Sequence, residues 1–159
     1  MQIEPLSAEL IERYLVSREL RFFRSDDGED FLLVLSNYER GKLHVHLRIN
    51  GLRRDILEIS VSPAAYYPAT ERPRLMELVN EWNRDNHWPK AFVRETPQPS
   101  HVGVVGETAY LLADGIHVAA LGNFIKSGVE YGADLFAKID QAISLPSADA
   151  LEEWMDRTG

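Results

Sequence analysis

A chain of 159 residues is the size of one domain, and with 45% hydrophobic residues it can bury a core without disulfides or a structural metal. Its formal net charge of −8, spread along the chain, argues against the cationic footprint that nonspecific nucleic-acid binding or docking on anionic lipid requires. The absence of cysteine removes disulfides, thiol nucleophiles and Cys-ligated zinc together. The opening MQIEPLSAEL has neither the basic nor the apolar region of a signal peptide, and the apolar runs are too short to cross a bilayer. The expectation is a cytoplasmic protein with no nucleic-acid and no membrane partner.

Ser7 is placed to cap a helix on which Leu10, Ile11, Tyr14 and Leu15 share a face. FFRSDDGEDFLLVLSNY reads as two strands around a turn at Asp26, Asp27 and Gly28. KLHVHLRIN alternates strictly, with Leu43, Val45, Leu47 and Ile49 facing one way and His44, His46 and Arg48 the other. DILEISVS repeats the pattern with Leu57, Ile59 and Val61 inward and Glu58 and Ser60 outward. Joining the two apolar rows through GLRR places Leu47 beside Leu57, Val45 beside Ile59, Leu43 beside Val61, and His46 beside Glu58. PAAYYPATERP reads as a break between elements.

Pro73 suits the first turn of the next helix, with Thr70 or Glu71 at its cap and Leu75, Leu78, Val79 and Trp82 as its stripe. Pro89 ends that helix. KAFVRET and HVGVVGETAYLLADG read as strands, the second bulged or kinked at Gly103 and Gly106, and IHVAALG as an extension or end of the sheet. NFIKSGVEYGADLFAKIDQAI is a long amphipathic helix with Ile125, Val129, Gly132, Phe136, Ile139 and Ile143 on one face. Gly128 and Gly132 each cost about 1 kcal/mol in a helix relative to alanine, which implies a close approach to another backbone. Ser147 is placed to cap a short helix with Leu151, Trp154 and Met155. The order α-β-β-β-α-β-β-α predicts an α+β fold of two layers, an antiparallel sheet with helices packed on one face. Residues 1–146 form the domain, and residues 147–159 a helical tail docked on or near it.

Patterns that carry chemistry are scarce. His44 and His46 lie on one side of a strand at a spacing that suits zinc or copper, but no third ligand is at hand, and a solvated strand face is the better account. GVVG at Gly103 to Gly106 sits in a strand pattern beside Glu107, unlike a phosphate-clamping loop between helices. There is no Walker loop, Rossmann fingerprint or nucleophile elbow. Glu152 and Glu153 are adjacent on a helix and do not face each other as an acid–base pair would. The sequence therefore predicts no catalytic residue, no metal, no cofactor and no enzyme.

The cluster Asn80, Asn83 and Asn86 is unusual, because asparagine is a mediocre helix former. Asn80 and Asn83 flank the apolar stripe and Asn86 falls on it near the helix end. We read the three as a structural lock of helix to sheet, Asn83 bonding to neighbouring backbone from a partly buried position and Asn86 adopting the left-handed conformation of a helix terminus.

These residues carry a resemblance. Leu78-Val79-Asn80-x-x-Asn83 on a helix, then Trp88-Pro89-Lys90-Ala91-Phe92-Val93 entering a strand, resembles the YbjN family, and the element order from about Ser7 to Ile143 is similar to the type III secretion chaperone-like fold. The resemblance implies a bacterial regulator of sensory transduction, a binding module that contributes no catalytic residues. The expected function is a non-catalytic protein-interaction module, a regulator or chaperone-like adaptor with an unidentified protein partner. The alternative is a small-ligand-binding domain or cryptic enzyme on an open sheet face bearing His44, His46, Arg48, Glu58, Ser60 and Arg94. Phe124, Tyr131, Leu135, Trp154 and Met155 are apolar beyond what one stripe needs and form a candidate homodimer interface.

Overall fold

A computed structural model describes residues 2–38 and 41–143. The tail at residues 147–159, with Trp154 and Met155, lies outside the described residues. Ser7 caps helix α1 (Ala8–Ser17), its hydroxyl accepting from Leu10 N at 3.1 Å. Strand β1 (Phe23–Arg24) turns through Gly28, whose φ of +76° suits glycine, into β2 (Asp30–Tyr38). Then follow β3 (Gly41–Asn50), β4 (Ile56–Pro63) and β5 (Tyr67–Pro68), a two-residue strand inside the segment expected to be a break. Helix α2 (Arg72–Asp85) carries Pro73 in its first turn, and β6 (Lys90–Glu95), β7 (His101–Leu111) and α3 (Val118–Ala142) complete the described chain.

The strands form one antiparallel sheet in the order β1-β2-β3-β4-β7-β5, with β6 on the other side of β7. The inward rows of β3 and β4 are buried as their alternation requires, Val45, Leu47, Leu57 and Ile59 completely. Their register differs from expectation by two residues: Leu47 pairs with Ile59, Val45 with Val61, Leu43 with Pro63, and His46 faces Ser60 while Arg48 faces Glu58. The cause is the loop. Asn50 pairs with Ile56, so the turn spans five residues, held by Arg54 N donating to Gly51 O at 3.1 Å and by positive φ at Gly51 and Arg54. A shift of two preserves which face each side chain takes, so the layers are unchanged.

The helices cover one face. Glycines 128 and 132 let α3 settle onto β4: a Cβ at Gly132 would sit 2.8 Å from Val61 Cβ, and one at Gly128 would sit 3.0 Å from Ile59 Cγ2. The close approach is thus to branched side chains of the sheet rather than to backbone. Gly103 and Gly106 lie in a regularly paired β7 without a bulge. Gly106 leaves room for Pro89 and Leu135, and Gly103 for Arg94. IHVAALG is not a strand beyond Ile116, which makes a single bridge to Glu4. His117 Nδ1 accepts from Ala120 N at 3.1 Å and caps α3, which therefore begins five residues before the expected Asn123.

β1 pairs with only Phe31 and Leu32 of β2, and the β2–β3 register is irregular between Leu35 and Tyr38. At the other edge, α2 closes β6. Trp82 Nε1 donates to Pro89 O at 2.8 Å, while Asn83 Nδ2 donates to Ala91 O at 3.0 Å and its Oδ1 accepts from Ala91 N at 2.9 Å. The side-chain amide stands where the peptide of a further strand would stand. Asn83 is nonetheless exposed, against the expectation of partial burial, because it reaches a strand edge rather than the core. Asn80 is exposed, and its side chain makes no hydrogen bond to the described residues. Asn86 has φ −133° and ψ 144°, an extended and not a left-handed cap; its N–H and Nδ2 both donate to Trp82 O.

Asn83→Ala is expected to lower the unfolding free energy by about 0.5–1.5 kcal/mol, since water can replace the lost partner at an exposed edge. Asn83→Asp should cost more, because a carboxylate would face the Ala91 carbonyl oxygen. Urea denaturation checks both, and an Asp variant as stable as wild type would remove the amide-as-strand account.

Candidate functional site on the open sheet face

Directly paired residues in an antiparallel sheet share a face. The pairings Asp30 with Arg48, Leu32 with His46 and Val34 with His44 extend the open face into β2, and Phe23 opposite Leu32 adds β1. Ser60 pairs with Glu107 and Glu58 with Ala109, which carries the face into β7; Lys90 opposite Glu107, Phe92 opposite Val105 and Arg94 opposite Gly103 carry it into β6. The structure thus brings His44, His46, Arg48, Glu58, Ser60 and Arg94 onto one surface. Sequence reasoning missed Phe23, Val34, Lys90, Phe92, Glu107 and Leu111. Period two from Arg94 already placed Phe92 and Lys90 beside it, but nothing in the sequence said that β7 lies between β4 and β6.

The face mixes apolar and charged groups. Phe23 is 71% exposed, Leu111 69%, Val34 40% and Phe92 36%, more bare apolar side chain than a purely solvated surface needs. Lys90 Nζ lies 3.1 Å from a Glu107 carboxylate oxygen, and the same carboxylate accepts weakly from Ser60 Oγ at 3.4 Å. Arg48 lies 3.6 Å from Asp30, and Asn50 donates to Glu58. The described residues line a notch at Ser62, Tyr66, Arg94 and Gly103 of about 10 Å³, room for one water molecule. Among the described residues no three His, Asp or Glu side chains converge on a point.

His44 and His46 are half-buried. Burial holds both below the usual imidazole pKa; Lys42 adds to the effect on His44, while Arg48, His44 and Arg94 add to it on His46 and Asp30 opposes it. A folded-state pKa below the unfolded one means that the unfolded chain takes up protons that the folded chain declines. Stability from these groups is full above the unfolded value of about 6.5 and falls as pH drops through it toward the folded values. The melting temperature is therefore expected to fall from pH 7 to pH 5.5, and His44→Gln with His46→Gln should flatten that slope. An unchanged slope in the double variant would reject the assignment.

The candidate self-association surface on α3 is smaller than expected. Leu135 is fully buried, because α3 turns it onto β7 against Gly106, so it belongs to the core. Phe124 is half-buried and stacks on Tyr110 with ring centroids 4.3 Å apart. Tyr131 is 45% exposed, with the Trp88 ring 6.3 Å away.

The crystal structure of YbjN, "a putative transcription regulator from E. coli", superposes with a TM-score of 0.72 at 11% identity, over 92% of this chain and 100% of that one. That of an uncharacterized protein from Methanothermobacter thermautotrophicus gives a TM-score of 0.51 at 12% identity, over 86% and 99%. At these identities the likeness speaks to the fold alone. No curated protein matches the chain. The model of the YbjN family, described as "Putative bacterial sensory transduction regulator", matches residues 7–141. An α+β chain with this sheet, matched over so much of its length, belongs to the YbjN family.

Proposed function

We propose that this chain is a non-catalytic protein-interaction module, a regulator or chaperone-like adaptor of the bacterial cytoplasm, which binds its protein partner on the open sheet face. One observation carries the reading: a helix-covered sheet whose other face bears exposed Phe23, Val34, Phe92 and Leu111 among charged groups. Such a surface suits the mixed apolar and polar character of a protein interface. The notch beside Arg94, with room for one water, is itself too small to hold a small ligand or substrate. A transcriptional role within this reading runs through a protein partner, because a formal charge of −8 disfavours approach to DNA.

A photo-crosslinking residue in place of Phe92 or Val34, in cells that make the protein, tests this. The expected result is a discrete protein adduct at both positions and none at Met76, which is 51% exposed on α2. The adduct should disappear when Leu111→Asp is added. Equal yields at Met76, or adducts insensitive to that change, would overturn the reading.

A further inference from the structure

The carboxylates of the open face lie toward one end of it. Among directly paired residues, Asp30, Arg48 and Glu58 form one row across the sheet, and His46, Ser60, Glu107 and Lys90 the next. In both rows the cations are engaged, Arg48 by Asp30 and Lys90 by Glu107. The far half of the face holds Val34, His44, Ser62 and Lys42, with Phe92 and Arg94 on β6. Among the described residues it holds no carboxylate, and neither Lys42 nor Arg94 has an acidic partner. Glu95, next in the chain, shares the side of Val102 and meets Arg72 there.

Gly103 gathers these charges. A Cβ at Gly103 would lie 3.4 Å from Arg94 Cγ and Nε, so its absence lets the arginine lie across β7. Arg94 thereby lines the notch with Ser62 and Tyr66, and its charge is felt at His46 on β3. Lys42 acts on His44 in the same sense. Both imidazoles are therefore neutral at pH 7, and each adds one N–H donor beside the two exposed cations. On a chain of formal charge −8, a patch of cations and neutral donors without a carboxylate fits an anionic partner.

Two observations make that anion a protein side chain. The notch has room for one water, so a free anion would sit on an open, wet surface. Val34 and Phe92, both exposed, flank the patch on β2 and β6, four strand spacings or about 19 Å apart. Apolar contacts at that span, the reach of about six residues of extended chain, suit a polypeptide with hydrophobic residues on either side of its carboxylates.

We propose that the Lys42–Arg94 half of the open face binds an acidic segment of a partner protein, its carboxylates on Arg94 and Lys42 and its flanking apolar residues on Val34 and Phe92. The inference rests on the protein-binding reading of that face and adds the chemistry of the partner.

The test uses the purified full-length protein and a fluorescein-labelled peptide, a run of glutamates with leucine at one end and phenylalanine at the other. Fluorescence anisotropy is expected to show saturable binding, weakened about three- to tenfold by Lys42→Gln with Arg94→Gln, the weight of two exposed ion pairs. Arg84→Gln with Lys126→Gln removes the same charge from exposed positions on the helices and should change the affinity less than about twofold, since salt screens distant charges. A peptide with glycine at both ends should bind more weakly, and one with lysine in place of glutamate should not bind. Unchanged melting temperatures in both double variants keep a loss of binding from being a loss of fold. No binding of the acidic peptide, or equal losses in the two double variants, would overturn the proposal. So would a single-stranded oligonucleotide that binds more tightly than the peptide through the same two cations, which would assign the patch to phosphate. The peptide needs no cellular partner, so the two readings fail separately. Peptide binding without adducts in cells removes the partner reading and leaves the acidic site. Adducts at Phe92 and Val34 that persist undiminished in the Lys42→Gln, Arg94→Gln variant remove the acidic chemistry alone.

Discussion

Trp82→Ala is expected to lower the unfolding free energy by about 3–5 kcal/mol, the range for truncating a core aromatic. Trp82 is 7% exposed on the face of α2 that meets the sheet, and its indole N–H donates to the carbonyl of buried Pro89. Alanine would leave a cavity between α2 and β6 and an acceptor without its donor. Against a total of about 5–15 kcal/mol for an ordinary domain, this is the difference between a folded and a marginal protein. Trp82→Phe separates the two contributions. It keeps most of the apolar volume and loses only the donor, at a cost of about 1–3 kcal/mol. Urea denaturation followed by far-UV circular dichroism measures both. A loss below about 1 kcal/mol for Trp82→Ala would mean that α2 is not held by this residue.

Gly132→Leu should be nearly as harmful for the opposite reason. A Cβ at Gly132 meets three carbons of Val61 within 3.0 Å, and Val61 is itself 1% exposed, so neither side has room to give. Overpacking of this kind costs about 1–3 kcal/mol and more where whole elements must separate, as α3 and β4 would here. Gly132→Ala is the instructive companion. It gains roughly 1 kcal/mol of helix propensity and meets the same first contact, so its net loss should be the smaller of the two. If Gly132→Leu melts like wild type, α3 does not lie against β4 as described.

The inward rows of β3 and β4 were legible because period two is a property of local sequence. Their register was not, because GLRR looks like a tight turn while the chain makes a loop of five residues closed by Arg54 in a left-handed conformation. Only the arginine's adoption of an unusual φ separates the two, and the sequence carries no mark of that. His117 shows a similar limit. I-H-V alternates like a strand, yet an imidazole accepting from Ala120 N turns it into a cap, a role that histidine fills less often than serine or aspartate. The open face was half legible. The residues on β3 and β4 followed from alternation, but their neighbours on β6 and β7 depend on strand order, which is a fact of topology. Leu135 was misplaced because a helix packed through glycines sinks close to the sheet and buries a wider arc than one stripe.

The short reach of β1 has a consequence for behaviour in crowded solution. Beyond Leu32, no described strand lies along the outer edge of β2, and the sequence from Phe31 to Tyr38 contains no charged residue. Proteins ordinarily place lysine or proline on such an edge, since an unguarded one is a template for sheet growth from molecule to molecule. Here the safeguard is length. The irregularity between Leu35 and Tyr38 ends the regular pairing, leaving residues 33–35 as the straight stretch, shorter than the roughly five or six residues of an ordinary strand. A template this brief is a poor one to copy, and a change that straightened this edge would remove that barrier to filament growth.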